Sequence, residues 1–228
     1  VIFPSTRSVL RISEFFKSYA YVKKLVKNSN LINERFHVNP IDLLFLGKKP
    51  YILEINDPAM VLHNNIIYSF LIKLKLKRCK YIVTQTKTLK NILSKHTNKE
   101  IYVVPNGVDT LEFRPGIKSN VRKFYNIKDN DVLVIFVGGF MQWLGANDVI
   151  ILAKSFPNVK FLMVGNGPEF SNVLRDAKGV NNLIIAGALP SRDIPKFLAA
   201  ADIAIAPFNT KRFSKLDELG FWWCPIKL

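Results

Sequence analysis

VVPNGVDTLEFRP, residues 103–115, decides how this chain divides. An apolar strand end runs into Pro105. Asn106-Gly107 then supplies a dipeptide that accepts positive φ readily. Asp109 follows, and Phe113 and Pro115 mark where the chain leaves the turn. Taken as residues alone, this is a strand-ending turn, and an Asn-Gly pair by itself says no more than that.

Working outward, both flanks alternate helical and strand patterns. Upstream, residues 9–29 carry Leu10, Phe15, Phe16, Tyr19, Val22, Leu25 and Val26 on one helical stripe. A short apolar stretch, 41–46, precedes Gly47-Lys48-Lys49-Pro50, and 51–55 is a compact strand. Asp57-Pro58 ends that strand and has the chemistry of a helix start. Residues 66–78 predict a basic, apolar helix, 81–84 a strand, Thr86 a cap on a helix to about 93, and 101–104 the strand feeding the turn.

Downstream the pattern restarts. Strands are predicted at 132–137 (VLVIFV), 159–164 (VKFLMV), 183–186 and 203–206, with helices at 146–155, 170–178 and 194–200 between them. Short continuous apolar strands alternating with helices predict a parallel sheet covered on both faces. The fold class expected is α/β, two Rossmann-like parallel-sheet units. The expected boundaries are 1–104 for the first unit, 105–117 for the connector and 118–228 for the second.

In such sheets, ligands bind beyond the carboxyl ends of the strands. Each predicted strand of the second unit ends there in small or turn-forming residues: Gly138-Gly139, Gly165-Asn166-Gly167, Gly187-Ala188 and Pro207. Glycine lets a backbone approach a phosphate closely, and a following helix supplies free N–H groups. Four such ends in register predict a nucleotide site. Their spacing matches neither the Walker loop nor GxGxxG, which disfavours ATP- or NAD-type use.

Composition bounds the partners. The net charge of +16 is unevenly spread, with 19 Lys/Arg against 8 Asp/Glu in residues 1–116 and 14 against 9 in 117–228. Such a field favours an anionic partner, or else is a solvated surface. Cys79 and Cys224 lie far apart without metal-ligand spacing, as do His37, His63 and His96, so no metal is expected and a reducing compartment is. No apolar run reaches the roughly 18 residues of a spanning helix.

The full string 103–115, followed by FVGGF, LMVGNGPE and GALPSRDIPKFLAAADIAIAP, resembles the retaining nucleotide-sugar glycosyltransferases of family 4, which have the GT-B fold. In that family, strand, PNGVD, Phe and Pro mark the passage from acceptor domain to nucleotide-sugar domain. The resemblance implies that Gly138 and Gly139 lie near the donor diphosphate. Gly165, Gly167 and Glu169 would line the neighbouring loop, and Ala188 and Leu189 would offer backbone groups to the base. The residue readings beside it are that Gly165 and Gly167 only shape a turn and Glu169 only caps a helix.

Three departures from the family pattern follow. Its glycine loop commonly continues to a basic residue before a Gly, where this chain has Met141-Gln142-Trp143-Leu144-Gly145. Lys211, Arg212, Lys215 or Lys227 then become the candidates for neutralising the diphosphate. The family also carries a pair of glutamates after the fourth strand; counting back from the expected place of the second, the first falls near Trp222. On the acceptor side, Asn56 stands where many relatives have a histidine before Asp57. An amide cannot act as a base but can hydrogen-bond a sugar hydroxyl. The resemblance further implies that the chain is incomplete at both ends.

The resemblance implies a retaining glycosyltransferase that moves a sugar from a UDP-, GDP- or ADP-sugar to an acceptor hydroxyl, on a polysaccharide or a lipid-linked sugar. No cofactor beyond the donor is implied. A nucleotide-sugar 2-epimerase of the same fold and a non-catalytic transferase fragment stay open, as does a basic nucleic-acid-binding protein, although nucleic acid is not the partner expected. Residues 66–80, IIYSFLIKLKLKRCK, either form a core helix with a solvated basic end or lie in an anionic lipid interface. The second alternative predicts a cytoplasmic protein, peripheral on the inner face of the membrane.

Overall fold

The computed structural model describes residues 21–35, 49–58, 66–116 and 119–224. Residues 9–20 of the helix predicted over 9–29, the apolar stretch 41–46 and Lys227 lie outside them, while residues 21–28 are helical as expected. The chain divides into two compact units, residues 1–105 and 106–228.

The first unit is a four-stranded, all-parallel sheet in the order β1 (Ile32–Arg35), β2 (Tyr51–Ile55), β3 (Tyr81–Thr84), β4 (Ile101–Val103). Helix α1 (Ile66–Arg78) lies between β2 and β3 in sequence, and α2 (Lys87–Ser94) between β3 and β4. Thr86 caps α2 as predicted, its hydroxyl accepting the Leu89 N–H at 3.1 Å. Leu53, Ile55, Ile82, Leu89 and Leu93 are buried in its core.

Strand β1 was not predicted. Its sequence, INER, is polar, yet Glu34 is held inward: the Tyr51 hydroxyl donates to Oε2 at 2.6 Å and the Lys75 ammonium to Oε1. Lys75 is 1% exposed. Of the basic residues in 66–80, Lys75 thus belongs to the core and is not available to a lipid interface. Ile72 and Leu76 are buried beside it, while Phe70, Lys73, Leu74 and Lys77 form the exposed side. Cys79 is buried, and burial pushes its thiol pKa up, which makes it a poor nucleophile. Among the described residues no helix is long and apolar enough to cross a membrane.

The second unit is also four-stranded and parallel, in the order β7 (Leu183–Gly187), β6 (Lys160–Val164), β5 (Leu133–Val137), β8 (Ile203–Ile205). Helices α3 (Ser119–Phe124), α4 (Ala146–Ser155), α5 (Phe170–Asp176), α6 (Ile194–Ala200) and α7 (Ser214–Leu219) accompany it. α3 and α7 were not predicted. One core joins Phe136, Met163, Val149 and Val173; the other joins Leu133, Ile135 and Leu162 with Val121 and Leu198. The sheet is thus covered on both faces at β5 and β6. It is not at β8, an edge strand among the described residues, where Ile203 is 49% exposed.

Arg122 of α3 is 1% exposed and holds this unit together. Its Nε donates to Ala200 O at the end of α6 (2.9 Å), and Nη1 to Lys128 O and Asp131 O (2.9 Å each). Nη2 pairs with Asp202 at 2.7 Å, and the same Asp202 oxygen accepts the Leu133 N–H that opens β5 (2.8 Å). Asn182, 8% exposed, plays a smaller version of this part: its Nδ2 lies within 3.0 Å of Ala153 O, Phe156 O and Val159 O, closing the end of α4.

Replacing Arg122 with Met should cost about 2–3 kcal/mol, because it leaves the carbonyls of Ala200, Lys128 and Asp131 without their donor, while the partly exposed Asp202 carboxylate is compensated by water. Arg122→Lys should recover little of that, since a single ammonium cannot span the fork. Urea denaturation midpoints of the three proteins check this; a loss below about 1 kcal/mol for Arg122→Met would refute the clamp.

Candidate functional site

The site is built from loops where the strands of the second unit end. These loops continue the sheet's hydrogen bonding past the strands. Gly138 N–H donates to Val164 O (2.9 Å), Gly165 N–H to Gly187 O (2.8 Å), Phe140 N–H to Asn166 O (2.9 Å) and Glu169 N–H to Phe140 O (2.9 Å). Backbone therefore runs against backbone with no room for side chains. A Cβ on Gly165 would sit 1.8 Å from Gly138 O, at φ +143°, and one on Gly167 would sit 2.7 Å from Phe140 N and O. Both glycines are required by close approach.

Gly139 is different. A Cβ there would meet Leu144, Asn166 O and Met141 at 3.6–3.9 Å, which is ordinary contact. It faces the interior of its own loop.

A cavity of about 1010 Å³ opens at these strand ends. Gly138, Gly165, Ala188 and Leu189 form part of its wall, joined by Ser191, Ile194 and a contribution from the string 106–116 in Phe113 and Arg114. The size matches small-molecule sites, which fall in the range of roughly 300–1,000 Å³. Strand order reverses at β5, with β6 on one side and β8 on the other, and such reversals are where open parallel sheets make binding crevices.

The structure thus brings together four of the predicted residues, Gly138, Gly165, Ala188 and Leu189. Gly139, Gly167 and Glu169 are not in this wall. Glu169 does stand at the start of α5, but its carboxylate accepts from Asn172 Nδ2 (3.0 Å) and makes no capping bond, which corrects the helix-cap reading. Asn56 and Asp57 lie in the first unit at the end of β2. The Asn56 side-chain amide donates to Glu54 Oε1 at 2.7 Å, and the Asn56 backbone carbonyl accepts from Gln85 Nε2 (3.0 Å).

The candidate cations are differently placed. Arg212 pairs with Asp148 (2.8 Å) and Lys215 with Glu218 (2.9 Å), while Lys211 is exposed. None lines the cavity, and Arg114 is the charged residue of its wall. Sequence reading missed Arg114: the string around it was read for its likeness to a connector, not for its side chains. An aromatic cluster was also missed. Trp143 stacks on Phe213 (4.9 Å) and Trp223 (5.9 Å, 10° between planes), and Trp222, 1% exposed, packs against Trp223 at 5.0 Å. These rings stand after β5 and after β8, where the family pattern has a basic residue and a glutamate. The signal was present in Trp143 and in FWW at 221–223, each read only as a departure.

Residues 117–214 match the family model described as "Glycosyl transferases group 1". Over 127 residues the chain is 31% identical to the D-inositol 3-phosphate glycosyltransferase of Segniliparus rotundus, covering 50% of this chain and 28% of that protein. Over 134 residues it is 27% identical to the processive diacylglycerol alpha-glucosyltransferase of Acholeplasma laidlawii, covering 55% and 40%. Among solved structures, Anabaena Alr3699/HepE in complex with UDP and glucose superposes with a TM-score of 0.66 at 16% identity, covering 89% of this chain and 58% of that one. The chain spans less than two thirds of the length of these relatives. Two parallel α/β units of four strands each, with these structural neighbours, give the chain the GT-B fold of glycosyltransferases.

Proposed function

We propose that the chain acts as a retaining, family-4 glycosyltransferase, moving a sugar from a nucleotide-sugar donor to an acceptor hydroxyl. The observation that carries this is the cavity at the carboxyl ends of β5, β6 and β7, walled by glycine backbone at Gly138 and Gly165 and by Ala188-Leu189. The Anabaena structure, a complex with UDP and glucose that shares the fold, supports the donor class. In this reading Ala188 and Leu189 offer backbone groups to the base, and Gly138 and Gly139 border the diphosphate. Gly165, Gly167 and Glu169 shape the loop beside it. Asn56 and Asp57 belong to the acceptor side, and no metal is assigned.

The chemistry is a front-face displacement. The bond from the sugar's anomeric carbon to the diphosphate oxygen breaks, the acceptor oxygen bonds to the same face, and the acceptor's proton passes to the departing diphosphate. Configuration is retained, and no protein base is needed. The protein contributes positioning and a preorganised polar wall. A nucleotide-sugar epimerase would convert the donor into its epimer without an acceptor and without net nucleotide release, so donor conversion and nucleotide release measured with and without acceptor separate the two readings.

The acceptor is proposed to be lipid-linked and reached at an anionic membrane surface, from the cytoplasmic side. The exposed side of α1 carries Phe70, 58% exposed, and Leu74 between Lys73 and Lys77. Apolar residues flanked by ammonium groups suit a lipid interface. The name of the Acholeplasma relative, a diacylglycerol glucosyltransferase, points the same way.

Two predictions test these assignments. Ala188→Trp, at an exposed position on the cavity wall, should keep the melting temperature and weaken UDP, GDP or ADP binding by about tenfold or more, since a large ring fills space the base needs. Gly165→Ala should instead lower the melting temperature, through its collision with Gly138 O. Calorimetry on both variants decides, and unchanged nucleotide affinity in Ala188→Trp removes the cavity from the donor site.

For the membrane, Lys73→Gln with Lys77→Gln should release the protein from anionic vesicles, each charge contributing about 1 kcal/mol. Lys75 is left intact because it is buried against Glu34. Flotation with anionic and neutral vesicles reads the outcome; equal binding of variant and wild type to anionic vesicles would exclude α1 as the contact.

A further inference from the structure

The second unit has another cavity, of about 500 Å³, at the opposite end of its sheet. It lies where β6 and β7 begin and α4 and α5 end, away from the strand ends described above. Three lysines from three elements line it: Lys154 in the last turn of α4, Lys160 as the first residue of β6, and Lys178 after α5. Lys154 and Lys178 are exposed, and Lys160 is half-buried.

Two ordinary reasons for lysines to gather here do not hold. The first would be carboxylate partners. The cavity wall contains no Asp or Glu, and none of the three ammonium groups makes an ion pair among the described residues. The nearest acid in sequence, Asp176, is taken by Arg175 at 3.0 Å. The second would be the free carbonyls of a helix end, which lysines often satisfy. At α4 it is Asn182 Nδ2, not a lysine, that reaches the helix-end carbonyl of Ala153, together with Phe156 O and Val159 O just beyond the helix. The lysines surround the pocket without being consumed by its structure. Gly179, at φ +80° with open space where a Cβ would stand, leaves one side of the wall clear.

We infer that this cavity binds a small molecule carrying more than one phosphate group, held by Lys154, Lys160 and Lys178. Three lysines lining one cavity whose wall holds no Asp or Glu create a positive potential that a single monoanion would not neutralise. The volume also exceeds what one phosphate fills and falls within the range of small-ligand sites. Lysine is suited to this as a mobile point charge that needs no fixed fork geometry. The inference is independent of the donor site, since none of its residues lines the larger cavity.

The test uses the full chain with inorganic pyrophosphate as probe, titrated calorimetrically with excess UDP present throughout so that a diphosphate site at the strand carboxyl ends is occupied. Wild type should bind pyrophosphate more tightly than inorganic phosphate. Lys154→Gln/Lys160→Gln/Lys178→Gln should weaken it by about tenfold or more. The matching triple arginine variant should retain binding, which excludes a folding defect. A control triple at exposed lysines elsewhere, Lys87→Gln/Lys95→Gln/Lys123→Gln, should bind like wild type. Absence of binding to wild type, or an equal loss in the control, would overturn the site in favour of a diffuse effect of net charge. A phosphatidic-acid vesicle arm, run in the Lys73→Gln/Lys77→Gln background, separates the two sources of phosphate. Vesicle binding that depends on the three lysines, without pyrophosphate binding, would overturn the small-molecule assignment and give the lysines to a lipid headgroup surface.

Discussion

One ion pair, between a buried arginine and a partly exposed aspartate, organises the second unit. Arg122 and Asp202 meet beneath the end of α6, and through them α3, the turn at 128–131, the start of β5 and the approach to β8 are joined. A buried guanidinium is expensive to desolvate unless every donor finds an acceptor, and here backbone carbonyls take most of them. The pair fixes register where it matters. Asp202 accepts the N–H of Leu133 and so aligns β5 with β8, the two strands between which the sheet order reverses. The position of the candidate cavity follows from that alignment, because its wall is drawn from the strand ends thereby set level.

The wall itself depends on a second constraint, the close approach of backbones beyond the strands. Gly165 and Gly167 have no space for a side chain, since Gly138 O and the Phe140 backbone occupy it. This approach brings main-chain groups to the mouth of the cavity, where a rigid, preorganised polar surface is most useful to a charged ligand. The same approach explains why the four glycines of the two loops are not equivalent. Two are demanded by packing and one, Gly138, borders the cavity with its Cβ direction closed by the Phe136 ring at 3.0 Å. Gly139 alone could accept a side chain at ordinary contact distance.

Most of the fold was legible because its elements are local. The buried strands at 133–137 and 160–164 are continuous apolar runs, and Thr86 is a cap with its helix directly behind it. Of the elements that escaped, β1 and α3 are stabilised by partners distant in sequence. Nothing in INER shows that Glu34 will be held by Tyr51 and Lys75, and nothing around residue 122 shows that its arginine will meet Asp202. The site was half legible for the same reason. Glycines at strand ends announce a loop that approaches something, but whether that neighbour is ligand or backbone depends on which loops come side by side. Glu169 shows the limit: its position at a helix start is local, yet its carboxylate goes to Asn172.

The aromatic cluster changes the electrostatics of these strand ends. Trp143, Phe213, Trp222 and Trp223 lie where a basic residue and a glutamate would otherwise bring full charges, and the cations once expected to compensate, Arg212 and Lys215, are engaged by Asp148 and Glu218. Rings exclude water and lower the local dielectric, which strengthens every remaining dipole and raises the cost of any unpaired charge. None of these rings lines the cavity, whose charged residue is Arg114, so an anionic ligand bound there would meet backbone dipoles and that one cation. Charge elsewhere is abundant and differently spent. In α1 it is split between a buried ammonium that ties β1 into the sheet and an exposed pair beside Phe70 and Leu74. At the far end of the second sheet three lysines stand together with no carboxylate to meet them. Net charge therefore says little here until each cation is assigned a place.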